Sequence, residues 1–144
     1  MKIKIYRVDK SLPLPTYKTP GSVAFDVYSR IDAVIKPKEI GYLPTNFIIK
    51  VPEGYVLMVA ARSSTHKMGL MVANGVAWLD QDFYGPEDEP WVIAYNYTNK
   101  DVRISKGDRV AQAAFIPVTK VSWQEVKAPV KKTSRGMIGS TGVK

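Results

Sequence analysis

The sequence predicts an all-β domain, a sandwich or a barrel, on three observations. Short runs rich in β-branched and aromatic residues recur along the chain, separated by Pro, Gly, Asn and Asp. Ten prolines and ten glycines punctuate the 144 residues, and no window sustains the apolar period of a helix. Hydrophobic residues make up 45% of the chain, which suits a single core and leaves too little length for two.

Taken in order, "KIKIYRV" (2–8) alternates polar with apolar residues, as a half-exposed strand does. "VAFDVYS" (23–29), "AVIKP" (33–37) and "EIGYLPTNFIIKV" (39–51) follow as further β-like runs. "GYVLMVAAR" (54–62) is apolar almost throughout, which predicts a central strand. Within "GLMVANGVAW" (69–78), Asn74-Gly75 either turns a hairpin or precedes a strand that extends to Asp80. "EPWVIAYNYT" (89–98) ends in polar/apolar alternation, and "VRISKGDRVAQAAFIPV" (102–118) contains a Gly-Asp turn before its second half. "SWQEV" (122–126) is the last run, closing a β domain of residues 1–126. From Lys127 to the end there are five basic residues and no acid, and the stretch closes with the glycine-rich "SRGMIGSTGVK". Such a stretch has almost nothing to bury, so residues 127–144 are expected to form a mobile basic arm.

Lysine and arginine number 21 against 13 acids, a net charge of +8 with a pI near 9.6. That balance favours a polyanionic partner, whether nucleic acid or a small phosphorylated molecule. With no cysteine there is neither a disulfide framework nor a thiolate metal site. His66 is the only histidine, which excludes a multi-histidine metal site, gives a Ser-His triad little support and marks His66 as a surface residue. The start "MKIKIYRVDK" lacks the apolar core of a signal peptide and no apolar run approaches a membrane span. The expected setting is the cytoplasm, without a membrane partner.

Three segments carry candidate chemistry. "ARSSTHKMGL" puts Arg62 directly after an apolar strand, beside Ser63 and Ser64. Arginine's fork matches phosphate oxygens bidentately, and hydroxyls and free backbone N–H groups complete such a site; a plain hydroxyl-capped turn fits the same residues. "NGVAWLDQDFYG" places Asp80 and Asp82 two apart, hence on one face of a strand, where acids are either catalytic or merely solvated. In "KGDRVAQAAF", strict alternation puts Arg109, Ala111 and Ala113 on one face and Val110, Gln112 and Ala114 on the other. Gln112 is then half-buried, satisfying a neighbouring backbone or reaching a ligand.

In this order, the segments resemble the five motifs of the trimeric dUTP diphosphatases (dUTPases). "VAFDVYS" looks like the first, "ARSSTHKMGL" the second, "NGVAWLDQDFYG" the third, "GDRVAQAAF" the fourth and "SRGMIGSTG" the fifth. The resemblance implies a jelly-roll-like subunit, a distorted β-barrel, in a homotrimer whose active sites draw on more than one chain. It also implies Mg²⁺-dependent hydrolysis of dUTP to dUMP and pyrophosphate. By matching position, Asp26 would hold the metal through its water shell. Arg62, Ser63, Ser64 and Gln112 would serve the phosphate chain. Asn74 would begin a hairpin that receives uracil, Asp80 would orient and polarise the attacking water, and Phe83 would lie under the deoxyribose. Arg135, Gly139, Ser140 and Thr141 would fold over the β- and γ-phosphates. A disordered arm that orders on the bound nucleotide encloses the phosphates during attack and releases two products afterwards.

The chain departs from the family pattern at several places. Ala77 stands where the third motif usually has glycine, Phe83 where it has tyrosine, and Ala24 replaces a usual glycine in the first. Ile138 occupies the place of an aromatic that stacks on uracil, so closure over phosphates is expected without that stack. The acidic "GPEDEP" (85–90) also interrupts the usual continuation of the third motif. Two rivals are disfavoured. A dCTP deaminase of the same fold needs a glutamate on the strand after the third motif, and "WVIAYNYTN" has none. A nucleic-acid-binding β-barrel needs aromatics interleaved with lysines on exposed strands, whereas most aromatics here have the apolar or proline neighbours of core residues.

Overall fold

The computed structural model describes residues 1–136, and they are almost entirely β. The strands are β1 (Ile5–Arg7), β2 (Phe25–Tyr28), β3 (Ala33–Ile35), β4 (Ile40–Pro44), β5 (Phe47–Ile49) and β6 (Tyr55–Ala60). They continue with β7 (Leu70–Val72), β8 (Val76–Leu79), β9 (Trp91–Asn96), β10 (Val102–Ile104) and β11 (Arg109–Pro117). A short 3-10 helix, Thr65–Met68, separates β6 from β7.

Every ladder is antiparallel, and three of them are nested: β2 pairs with β11, β3 with β10 and β4 with β9. A chain whose first half runs back along its second half in this concentric order is rolled up like a long hairpin, which is the jelly-roll principle. The ladders resolve into four sheets, β1-β5, β3-β10, β2-β11-β6-β8 and β4-β9-β7. The expected barrel is therefore not closed among the described residues. As its composition requires, β6 is interior, lying between β11 and β8. Leu43, Phe47, Leu57, Leu70 and Val27 are fully buried at the centre of the core.

Three expectations need correction. The run 39–51 is two strands, because Asn46 takes a left-handed backbone (φ 68°) that breaks it between β4 and β5. Asparagine tolerates that conformation. Here its buried side chain also accepts from Asp9 N–H at 2.6 Å and donates to Asp9 O at 3.0 Å. "SWQEV" forms no strand: residues 118–136 leave the last strand without regular structure, and Trp123 is 91% exposed. The aromatics are not mostly core. Phe25 and Phe47 are, but Tyr6, Tyr42, Trp78 and Trp91 are exposed, because they occupy the outer positions of strands whose alternate residues fill the core.

The acidic segment 85–90 is an anchor. Gly85 N–H donates to the Asp88 carboxylate at 2.5 Å and Asp88 N–H returns to Gly85 O at 3.2 Å, closing a local turn. Glu89 receives the Arg30 guanidinium on both oxygens, which raises the Arg30 pKa above its ordinary value, and also accepts from Asn46 N–H at 2.7 Å. Among the described residues no helix is long and apolar enough to cross a membrane.

Candidate active site

Asp26 sits on β2 between Phe25 and Val27, which point into the core. Its carboxylate lies on the other face, where two guanidinium groups cover it: Arg62 Nε at 2.9 Å from Oδ1 and Arg109 Nη1 at 3.2 Å from Oδ2. Arg62 lies two residues past the end of β6. Its Nη1 donates to Arg109 O at 3.1 Å, and its backbone N–H donates to Thr65 Oγ1 at 2.9 Å, while Thr65 N–H returns to Arg62 O at 3.0 Å. The hydroxyl-capped turn is thus present, and it aims the guanidinium at Asp26. Ser63 and Ser64 occupy that turn. His66 is exposed on the helix, as expected.

Arg109 reaches Asp26 through a β-bulge. In the β2–β11 ladder Arg109 faces Tyr28, Ala111 faces Val27 and Gln112 faces Asp26, with the register breaking between Arg109 and Ala111. Val110 is the extra residue. Directly opposed residues share a face of the sheet, so the bulge puts both Arg109 and Gln112 on the face that carries Tyr28 and Asp26. Strict alternation had separated them, and a bulge is what overrides it. Gln112 is half-buried and its Nε2 donates to Ala61 O at 3.0 Å. Two guanidinium groups against one carboxylate leave this patch positive, with N–H donors to spare for an anion.

Asp80 lies elsewhere on the chain. It follows β8, the edge strand, and is exposed, and no hydrogen bond among the described residues holds its carboxylate. It opens onto a cavity of about 580 Å³ lined by Tyr55, Trp78, Gln81, Asp82, Tyr84 and Lys120. Phe83 is exposed in the same turn, its N–H donating to Asp80 O at 3.3 Å. Leu79 faces Leu57 and Gln112 faces Ala60, on opposite flanks of β6. Asp80 is thus level with Val56, roughly 13 Å down the strand from Ala60 at ~3.3 Å per residue. One chain does not bring Asp80 to the arginine cluster.

Asn74-Gly75 makes a tight turn, with Gly75 N–H donating to Val72 O at 3.0 Å and φ 69° at Gly75. It does not open a two-stranded hairpin, because β7 joins β9 and β8 joins β6 in different sheets. Arg135 is described and exposed. Ile138, Gly139, Ser140 and Thr141 lie outside the described residues. Sequence reasoning did not place Arg109 beside Asp26. The signal available was a Gly-Asp turn immediately before a strand, which does not by itself specify a bulge.

A family profile described as dUTPase matches residues 10–142. The chain belongs to the dUTPase family. It is 38% identical to the deoxyuridine 5'-triphosphate nucleotidohydrolase of Dictyoglomus turgidum, with 99% of each chain covered. Among solved structures, the dUTPase from Streptococcus mutans superposes with a TM-score of 0.76 at 25% identity, covering 83% of this chain and 98% of that one. The Staphylococcus bacteriophage 80alpha dUTPase with dUPNHPP superposes with a TM-score of 0.84 at 19% identity over 99% of both chains, a likeness of fold.

The donor set of this dUTPase bears on Mg²⁺. Among the described residues no cluster of three or more His, Asp or Glu side chains could hold a metal directly. Magnesium usually keeps several waters and is held by one or two carboxylates plus substrate phosphates. Asp26 fits that outer role, since a carboxylate offers about four lone-pair sites and the two arginines occupy only part of them.

Proposed function

We propose that this dUTPase hydrolyses dUTP to dUMP and pyrophosphate, with Mg²⁺, as a homotrimer with shared sites. The observation that carries the reading is the Asp26–Arg62–Arg109 cluster with Gln112 on the same face. Residues from three motifs converge there into a positive, donor-rich patch suited to a phosphate chain.

In the reaction, water attacks the α-phosphorus, the bond from that phosphorus to its bridging oxygen breaks, and pyrophosphate leaves opposite the attack. Asp80 orients the water and takes its proton, an effect of about 10² to 10⁴ in rate. Arg62, Arg109, Ser63, Ser64 and Gln112 hold the phosphates and offset charge building on their oxygens. Bound Mg²⁺ supplies further neutralisation of the phosphate oxygens, with Asp26 accepting from its water shell. Phe83 forms a flat platform under the deoxyribose, and Asn74 contributes to the base pocket. Arg135, Ile138, Gly139, Ser140 and Thr141 belong to an arm, residues 127–144, that closes over the phosphates. The trimer supplies what one chain lacks: Asp80 of one subunit beside the arginine cluster of another.

The test is pyrophosphate release from dUTP, dCTP, dTTP and UTP with Mg²⁺. Turnover of dUTP alone is expected. Consumption of dCTP alone, or of none, overturns the assignment.

A further inference from the structure

The Asp80 carboxylate has no hydrogen bond among the described residues, so something else must fix its direction. The neighbouring side chain does so. Gln81 is half-buried between two exposed aspartates, and both ends of its amide are engaged. Nε2 donates to Tyr55 O at 2.9 Å, where β6 begins, and Oε1 accepts from Lys120 Nζ at 3.1 Å, three residues past the end of β11. The start of interior strand β6 and the segment that follows β11 thereby hold the turn after the edge strand. The main chain within the turn contributes only the long Phe83 N–H to Asp80 O bond at 3.3 Å and Tyr84 N–H to Asp82 O at 3.1 Å.

We infer that Gln81 is a positioning residue for the reaction: its amide bolts the Asp80 turn to β6 and, through Lys120, to the segment that follows β11. Asp80 and Gln81 are adjacent in this turn and line the same cavity, so fixing the Gln81 amide fixes the backbone that carries the Asp80 carboxylate. A catalytic carboxylate must be held close to its productive geometry by groups that are themselves fixed, and here the fixing contact is one position away. Lys120 lines the same cavity as Asp80 and Asp82.

The inference rests on the reading of Asp80 as the water-orienting carboxylate, and the experiment separates the two. In the full chain with Mg²⁺ and dUTP, Gln81→Ala is expected to lower kcat by about 10- to 100-fold, the size of a displacement near 1 Å, with KM nearly unchanged and the folded state retained by circular dichroism. Gln81→Glu keeps the length and the Lys120 partner but loses the donor to Tyr55 O, so it is expected to show the same fall; it serves if the alanine variant folds poorly. Lys120→Met is expected to cost less, and the double variant no more than Gln81→Ala, because both act through one network. A wild-type kcat in Gln81→Ala and Gln81→Glu, or a loss confined to thermal stability, overturns the inference while an inactive Asp80→Asn leaves the Asp80 reading standing. Full activity in Asp80→Asn overturns both.

Discussion

Arg30 and Glu89, 59 positions apart, meet as a two-pronged ion pair, Nε 2.9 Å from Oε1 and Nη2 2.8 Å from Oε2. The pair ties the segment before β9 to the chain just after β2, and Glu89 Oε1 also holds the left-handed turn at Asn46. Glu89→Ala removes all of these bonds and leaves the Arg30 guanidinium without its carboxylate acceptor. Its side chain is 10% exposed and that of Arg30 is 29%, so the penalty falls below that of a fully buried pair, at about 2 to 3 kcal/mol. Chemical denaturation should show a lower midpoint at unchanged slope. A shift near zero would mean that the pair is as solvated as a surface contact.

Replacing Arg62 by lysine keeps the charge and discards the fork. Arg62 binds Asp26 through Nε and Arg109 O through Nη1 at once, and an ammonium on a flexible stem cannot hold both while facing a phosphate. Arg62→Lys should lower kcat/KM for dUTP by roughly 10- to 100-fold, since one well-placed donor to developing charge is worth that or more. Stability should change little, because Arg109 still pairs Asp26. Steady-state kinetics beside a thermal melt separates the two effects.

Much of this architecture was legible in the sequence for one physical reason: strand propensity and turn chemistry are local. The apolar "YVLMVAA" had to be interior, and β6 is. What stayed hidden depends on register and on distant partners. The bulge at Val110 moves Arg109 onto the face of Gln112, and no residue type there announces it. Asn46 breaks a run that reads as one strand, because its side chain finds Asp9 across the fold. The acidic segment 85–90 stands out in the sequence only as a departure from the family pattern, yet Glu89 is a hub, since its partner Arg30 lies far away in sequence. In "YNYT" polarity misleads outright. Asn96 is completely buried, its amide donating to Ile35 O at 2.8 Å and Lys100 O at 2.7 Å, while Tyr97 is exposed.

Acid should weaken the fold through Asp9. Hydrogen bonds from Lys106 and then Ser11 hold its carboxyl well below the usual carboxylate range. A group whose folded pKa is depressed contributes stability that is fully present above its unfolded pKa, near 3.9, and is lost as pH falls toward the folded value. Asp9→Asn lacks that contribution at neutral pH. Its stability should therefore lie below wild type at pH 7 and converge with it as pH drops below ~4. Denaturant midpoints measured between neutral and acid pH check the convergence, and added salt should shrink the gap, because the pair is exposed to solvent. Parallel curves would show that Asp9 titrates normally.

Truncation before Ser134 separates folding from closure. The core and every ladder lie between Ile5 and Pro117, and residues 118–136 add no strand to any sheet. Removing residues 134–144 should leave the melting temperature close to that of the full chain. It also deletes Arg135 and the "GSTG" run, whose donors the proposed reaction places over the β- and γ-phosphates. Loss of donors that act mainly as charge develops should lower kcat more than it raises KM. A fall of about 10²-fold or more in kcat for dUTP is expected, on the scale of removing an oxyanion donor. A truncated enzyme that kept the full rate would show that phosphate charge is met by Arg62, Arg109 and the metal alone, and the arm would then need another purpose.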